Sequence, residues 1–559
     1  MRNRFPRAFL AFPAVASMLA TMMPQGTEAA VFRPLVQQGH VNYRAATAKA
    51  AVSCSSLSGR VLDADSKISS ATDVGASTGV PEHCEVVVAT KYTLHIAIDM
   101  PTTSWNQRGY VLGNGGFGGG SVLAATAIAE RDSILASNFA VASNDDGEPN
   151  ASFADPHYGS FLETNPEGLE DYSYRAVHLS ALYVKQVSDL FYHQQPAETY
   201  FNGCSDGGRE GLIEAQRFPD DFDGIVAGAA VLADSDLQIQ NAWNVNRYGE
   251  APFTLAQLST ITAAVLAQCG EKLNGVADGI VADPRLCKFY GAHDLPVCSG
   301  APTASCLTTG QIAAYDKMIG GPWSRDKIYF PGMPRGSEAN WPGAVVPTTP
   351  GGVTDQSLLG DNWIDFALGY GTGITFNAAT FNYDRDPYLD NNLAPVHAIA
   401  DASNTDITAF ERHGGKMISY VGWADPLVGP WSLVGYYESV ERRLGQQQTD
   451  SFYRFFTLPG VAHCAGGAGP DTIDPFSAMV DWKEAGFAPN TLIASKLDAS
   501  GNVLFQRLLC MYPYMGQFTN GENAKLASSW QCVPGPTGVP LTDYPARNPF
   551  DSRFHEISP

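Results

Sequence analysis

The sequence predicts an α/β protein: a mainly parallel sheet covered by helices on both faces and interrupted by one large insertion. Three observations carry that expectation. Short apolar strand-like runs alternate with amphipathic helical stretches, a glycine-flanked turn joins one such run to a helix, and the alternation fades through a long central segment. The strand candidates are residues 110–112, 139–143, 199–201, 224–227, 417–421, 452–458 and 492–495. Between 171 and 192, Ala176, Leu179, Tyr183, Val187 and Leu190 recur in steps of three and four, which places them on one face of a helix. Pro196 ends that element, the run 199–201 follows, then the turn 203–208, then the helix-forming stretch 209–217. The order is helix, strand, sharp turn, helix. Residues 231–405 have another texture, with four cysteines and a Gly, Pro, Thr and aromatic-rich stretch from 320 to 388. We read them as an insertion placed to serve as a lid over a site.

Composition bounds the function. The chain has 559 residues, 44% hydrophobic and only 16% charged, enough apolar material for a large core. Its formal charge of -22 opposes phosphate backbones and anionic lipid, so nucleic acid is not an expected partner. Arg2, Arg4 and Arg7 precede an apolar run from 8 to 23 and small residues near Ala29, the pattern of an export signal over 1–29. Pro13 interrupts a run already short for a bilayer, and no later stretch is long enough to span, so no membrane is expected after signal removal. The expected organisation is a signal at 1–29, a first part of the α/β domain at 30–230, a lid at 231–405 and a second part at 406–559. All ten cysteines follow the signal, and an even count in a secreted or periplasmic protein favours five disulfides. Counting alone leaves their pairing open. Zinc is the competing reading, but no C-x-x-C pair or H-x-x-x-H cluster occurs.

The chemistry concentrates in three places. Gly203-Cys204-Ser205-Asp206-Gly207 fits G-x-S-x-G, a turn that lifts a serine hydroxyl above the sheet because small residues let strand and helix pass closely. Ser205 is the candidate nucleophile, and the helix that follows favours developing negative charge at its start. The base is His463, in a loop after the run 452–458, and the acid is Asp425, just past the run 417–421, where a carboxylate projects over the strand ends. The order Ser205, Asp425, His463 is that of the α/β-hydrolase fold. Asp471 and Asp474 are weaker rivals because they follow the histidine. The oxyanion donors are the amide of Asp206 and one from the loop Gly113-Asn114-Gly115-Gly116-Phe117-Gly118-Gly119-Gly120, with Gly116 chosen and Gly115 the alternative. Cys204 precedes the serine and Cys464 follows the histidine, so a bond between them would join the two loops across the insertion.

These residues resemble the tannase and feruloyl esterase family of α/β-hydrolases, which also includes a bacterial mono(2-hydroxyethyl) terephthalate hydrolase. The resemblance runs through Gly203 to Gly211, the loop from Gly113, Gly414-Gly415-Lys416, Gly422-Trp423-Ala424-Asp425-Pro426 and His463-Cys464. It implies the pairs Cys204–Cys464, Cys54–Cys84, Cys269–Cys287, Cys298–Cys306 and Cys510–Cys532. It also implies a structural calcium in the lid, held by side chains of Glu271, Asn274 and Asp278 and carbonyls of Val276 and Ile280. Two departures stand out: Asn274 replaces a usual aspartate, and one extra residue precedes Glu271.

The resemblance implies a secreted serine carboxylic ester hydrolase without organic cofactor, acting through an acyl-enzyme on small esters of aromatic acids. Ferulate, gallate and terephthalate are the candidate acids, and mono(2-hydroxyethyl) terephthalate hydrolysis is the alternative within the class. A non-catalytic, calcium-stabilised binding protein is the alternative outside it. Trp363, Phe366, Phe376, Phe381 and Tyr383 are either ring-holding lid aromatics or lid core, with core favoured. Oligomeric state is left open.

Overall fold

A computed structural model of the chain describes residues 40–537, apart from 120–124, 166, 325–326, 329, 389 and 520–521; the expected signal at 1–29 lies outside them. Nine strands form one sheet: β1 (Ser66–Val74), β2 (His83–Thr90), β3 (His95–Pro101), β4 (Arg108–Leu112), β5 (Ala140–Asn144), β6 (Glu198–Cys204), β7 (Gly224–Gly228), β8 (Lys416–Gly422) and β9 (Tyr453–Leu458). Their order is β1-β2-β3-β5-β4-β6-β7-β8-β9. The pairings from β5 through β9 are all parallel. The strands β5, β7 and β9 are buried along their whole length, as parallel strands covered on both faces must be.

The antiparallel β1-β2-β3 edge departs from the sequence expectation, which placed no strand before residue 110. In β1 only Ser66 and Ile68 are buried, so this edge strand lacks the continuous apolar run that marks its central neighbours. The run at 492–495 also differs. It lies in Thr491–Leu497, which pairs with Val503–Cys510 in a separate antiparallel hairpin outside the main sheet.

Among the helices are α1 (Ala125–Leu135), α2 (Ala176–Tyr192), α3 (Asp206–Arg217), α4 (Asp234–Glu250), α5 (Leu255–Asn274), α6 (Thr309–Gly320), α7 (Asp355–Asn362), α8 (Pro430–Leu444) and α9 (Pro475–Ala485). Alternation along the strands sorts them into layers. Val111, Phe201 and Ile225 pack with Val184 of α2, Leu212 of α3 and Tyr436 of α8. Tyr110, Tyr200 and Val226, one residue displaced, pack with Leu135 of α1 and Met479 of α9 on the opposite face. A π-helical turn, Asp171–Arg175, runs directly into α2, which ends at left-handed His193. None of the described helices is by itself long and apolar enough to cross a membrane.

The segment between β7 and β8 has two cores. One is built from Phe253 to Val346, with Val245 and Tyr248 packed against it, and is stapled by Cys269–Cys287 and Cys298–Cys306. The other joins Leu237, Trp363 and Ile364 to Phe117, Tyr158 and Tyr172 of the sheet domain and to Leu427 and Val428. The insertion therefore shares apolar packing with the glycine loop and with the segment that follows Asp425.

Candidate active site

Ser205 sits between β6 and α3 with φ 67° and ψ -118°, a backbone conformation that L residues rarely adopt. Such strain persists only where the surroundings impose it. Its amide donates to Gly228 O at 3.0 Å, pinning the turn to β7. Strand and helix pass so closely that a Cβ on Gly203 would lie 2.6 Å from the carbonyl carbon of Gly207, which is why the motif requires glycine there. Among the described residues the Ser205 hydroxyl makes no hydrogen bond, to His463 or to any other group. Catalytic hydroxyl–imidazole contacts commonly close only when substrate arrives.

Asp425 follows β8 and is completely buried. Its Oδ1 accepts from the amides of Leu427 and Val428 at 2.8 and 2.9 Å, and its Oδ2 accepts from His463 Nδ1 at 2.8 Å. That bond fixes the ring's orientation and leaves Nε2 as the nitrogen able to take a proton. Burial works against a charged His463 ring, but the charge and hydrogen bond of Asp425, with the charge of Asp355, outweigh it and raise the pKa above the ordinary imidazole value. Neither rival carboxylate bonds the ring. Asp471 accepts from the Gly466 amide and pairs with Lys496, and Asp474 caps α9. His83, His95, His178 and His413 pair with carboxylates other than Asp425.

All ten cysteines are paired, as Cys54–Cys84, Cys204–Cys464, Cys269–Cys287, Cys298–Cys306 and Cys510–Cys532. The Cys204–Cys464 bond holds the residues beside Ser205 and His463 at a Cα separation of 6.0 Å although they are 260 positions apart. Cys464 itself has φ 58°, so a positive φ stands on each side of the site, at Ser205 and at Cys464.

In the glycine loop the amides of Gly113, Asn114, Phe117 and Gly118 are spent on Asn202 O, Glu210 Oε2, Tyr158 Oη and Gly115 O. Those of Gly115 and Gly116 bond no described residue, and neither does that of Asp206 at the start of α3. With Gly119, whose amide also bonds no described residue, the loop has three donors to offer beside the one from α3. Tyr158 closes it from beneath, accepting from the Phe117 amide at 2.9 Å and donating to Gly118 O at 2.8 Å. The Asp206 side chain is held by Arg209 at 2.7 Å, and that buried guanidinium also donates to the carbonyls of Tyr172 and Ser173.

Three lid residues that carried no motif reach this site. Asn340 Nδ2 donates to Ala424 O at 2.9 Å and Gln356 Nε2 to Pro426 O at 2.7 Å, one on each side of Asp425. Asp355, the first residue of α7, is raised by burial to about 6, with His463 acting in the opposite sense. The aromatics fall mainly to core: Trp363 is fully buried and donates its indole N–H to Ser235, and Phe376 and Phe381 are buried, while Phe366 and Tyr383 are partly exposed. A surface cavity of about 370 Å³ between Trp243, Arg247, Phe381 and Tyr383 lies wholly within the insertion and includes no triad residue.

Of the oxygens expected to hold calcium after α5, those of Asp278 and Val276 are engaged among the described residues, while the Ile280 carbonyl accepts no hydrogen bond there. Asp278 Oδ1 accepts from the Ile280 amide at 3.1 Å, its Oδ2 is paired with Arg507 at 2.8 Å, and Val276 O accepts from the Asp278 amide. The side chains of Glu271 and Asn274 lie outside the described set. A hard cation needs six to eight oxygens, and here a guanidinium holds the one described carboxylate of the expected set.

The sheet order, the strained serine turn and the Asp425–His463 pair define an α/β-hydrolase. Its relatives narrow that class. The sequence profile of the tannase and feruloyl esterase family matches residues 77–533. An uncharacterised esterase of Xanthomonas campestris is 32% identical over 90% of this chain and 95% of its own. Feruloyl esterase B of Aspergillus niger is 30% identical over 77% of this chain and 83% of its own. The crystal structure of feruloyl esterase B from Aspergillus oryzae superposes with a TM-score of 0.73 at 26% identity, covering 86% of this chain and 99% of that one. The chain belongs to the tannase and feruloyl esterase family and is a carboxylic ester hydrolase.

Proposed function

We propose that the protein is an exported serine esterase that cleaves small esters of aromatic acids through an acyl-enzyme on Ser205. The observation that carries this reading is the Asp425–His463 pair, bonded at 2.8 Å and joined to the serine turn by Cys204–Cys464. In the reaction Ser205 Oγ attacks the ester carbonyl while His463 Nε2 takes its proton, and Asp425 stabilises the imidazolium through Nδ1. The amides of Gly116 and Asp206 donate to the oxyanion. Nε2 then returns the proton to the departing alcohol, and water, activated by the same nitrogen, releases the acid. Relatives named for feruloyl esterase activity support an aromatic acid as substrate, and five disulfides support an oxidising compartment, secreted or periplasmic.

A serine-directed phosphonate should label the wild type and not Ser205→Ala. Rates on methyl ferulate, methyl gallate and mono(2-hydroxyethyl) terephthalate rank the acids, and matching p-nitrophenyl esters and anilides separate esterase from amidase. Absence of both labelling and turnover on every ester would overturn the reading in favour of a binding protein. The calcium proposed for the insertion is weakly held, since an ion at Asp278 must first displace Arg507.

A further inference from the structure

Behind the two walls of the oxyanion site stand three buried carboxylates that the proposed reaction does not use. Asp146, Asp206 and Glu210 each place one oxygen within 4.8 Å of the others. Their donors are unevenly shared. Asp206 Oδ1 accepts from Arg209, and the two oxygens of Glu210 accept from the amide and the side chain of Asn114 at 2.8 and 3.2 Å. Asp146 is 0% exposed and neither of its oxygens has a hydrogen-bond partner; Oδ2 of Asp206 also lacks one. The fold imposes this position. Asp146 is held at φ 47°, and its Oδ2 fills the space that a side chain at Gly118 would need, 1.7 Å from the ideal Cβ.

A carboxylate buried without a donor does not stay ionised, because desolvation costs several kcal/mol and the group takes up a proton or a cation instead. The charged groups facing Asp146 are Glu210, Asp206 and Arg209 on α3 and its own neighbour Asp145. Arg209 is the one cation among them and is committed to Asp206. A hard divalent ion takes six to eight oxygens, whereas three here lack a donor. A proton is sufficient. We propose that Asp146 is carried as a neutral carboxylic acid whose proton, shared with the carboxylates of α3, ties the glycine loop to the nucleophile helix, making Asp146 a positioning residue for the oxyanion donors. This role rests on the esterase reading; the protonation does not. Burial first, then the charges of Glu210 and Asp206, push its pKa upward, and only Arg209 opposes them. Ionised, Asp146 would set a negative charge against Gly118 of the glycine loop and beside Asp206, and work against the oxyanion.

The sign of the pH effect is fixed by linkage. An acid whose folded pKa exceeds its unfolded value loses stability as pH rises from the unfolded value toward the folded one, by up to about tenfold in the folding constant per pH unit. Thermal melts of wild type and Asp146→Asn, from about pH 4 to about pH 9 in chelator and without substrate, read this directly. The variant should differ least at the acid end and gain steadily on the wild type as pH rises. On an ester substrate the alkaline fall in wild-type kcat should shrink in the variant. A stability difference that is flat or reversed with pH overturns the proposal. So does a calcium-dependent rise in wild-type Tm that Asp146→Asn abolishes, which would assign a cation instead. If Asp146→Asn does not fold, Asp146→Ser carries the comparison; failure of both counts against a site that must tolerate a neutral group. The melts stand even if no ester is turned over, so the two readings fail separately.

Discussion

His463 has two carboxylates in its field, and they act differently. Asp425 bonds Nδ1 and sets the tautomer, so Asp425→Asn should lower kcat by about 10⁴-fold while leaving the fold intact. Asp355 acts through charge alone. The base must be neutral to accept the serine proton, so kcat/KM should rise with pH through an imidazole pKa displaced upward. Removing a negative neighbour lowers that pKa, and Asp355→Asn should therefore move the acid limb of the profile to lower pH. A pH profile on a p-nitrophenyl ester checks it; an unmoved limb, or one moved upward, rules out the charge of Asp355 as a determinant. A motif and a chain order single out Ser205, Asp425 and His463 in the sequence; Asp425, chosen over Asp471 and Asp474 on order, is the carboxylate that bonds the ring, while the Ser205 hydroxyl makes no bond to it. Asp355, Asn340, Gln356 and Tyr158 were not legible. They lie in stretches without periodicity and matter only through where the chain brings them.

The N-terminal end of α7 and the short 3-10 turn at Glu338–Asn340 grip the acid loop from both sides. Gln356→Ala or Asn340→Ala leaves a carbonyl beside Asp425 without its side-chain donor, at a cost of about 1–3 kcal/mol. Turnover should fall more than KM changes, because what is lost is the alignment of Asp425 with His463; steady-state kinetics beside a melt separates this from simple destabilisation. At the calcium loop the prediction is opposite in kind. Because Arg507 competes for Asp278, chelator dialysis should lower the wild-type Tm only slightly, whereas Arg507→Gln, by releasing Asp278, should make the Tm rise strongly with added calcium. The alternating strands and helices from β4 to β9 could be read in advance because buried parallel strands are continuous apolar runs. The edge strand β1 could not, since a half-exposed strand rich in serine offers no such run; β2 and β3, which carry Val86–Val88 and Ile96–Ile98, were missed although they are largely buried.

Across the whole molecule the insertion separates the serine turn from the histidine loop, and one bond spans it. In the chain-entropy account a closure of this length stabilises by about 5 kcal/mol. Its larger effect is on geometry. Replacing Cys204 and Cys464 together by Ala should lower turnover far more than substrate binding, and unchanged turnover in a folded variant would refute an aligning role. The pairing of sequence neighbours elsewhere makes this the one disulfide that crosses between the two halves of the sheet domain. A reducing cytoplasm does not sustain such a bond. A chain with that bond reduced carries Ser205 and His463 on loops without a covalent link. For the exported enzyme proposed above, oxidation would then be the arming step, and the tie that aligns the site outside would spare the producer within.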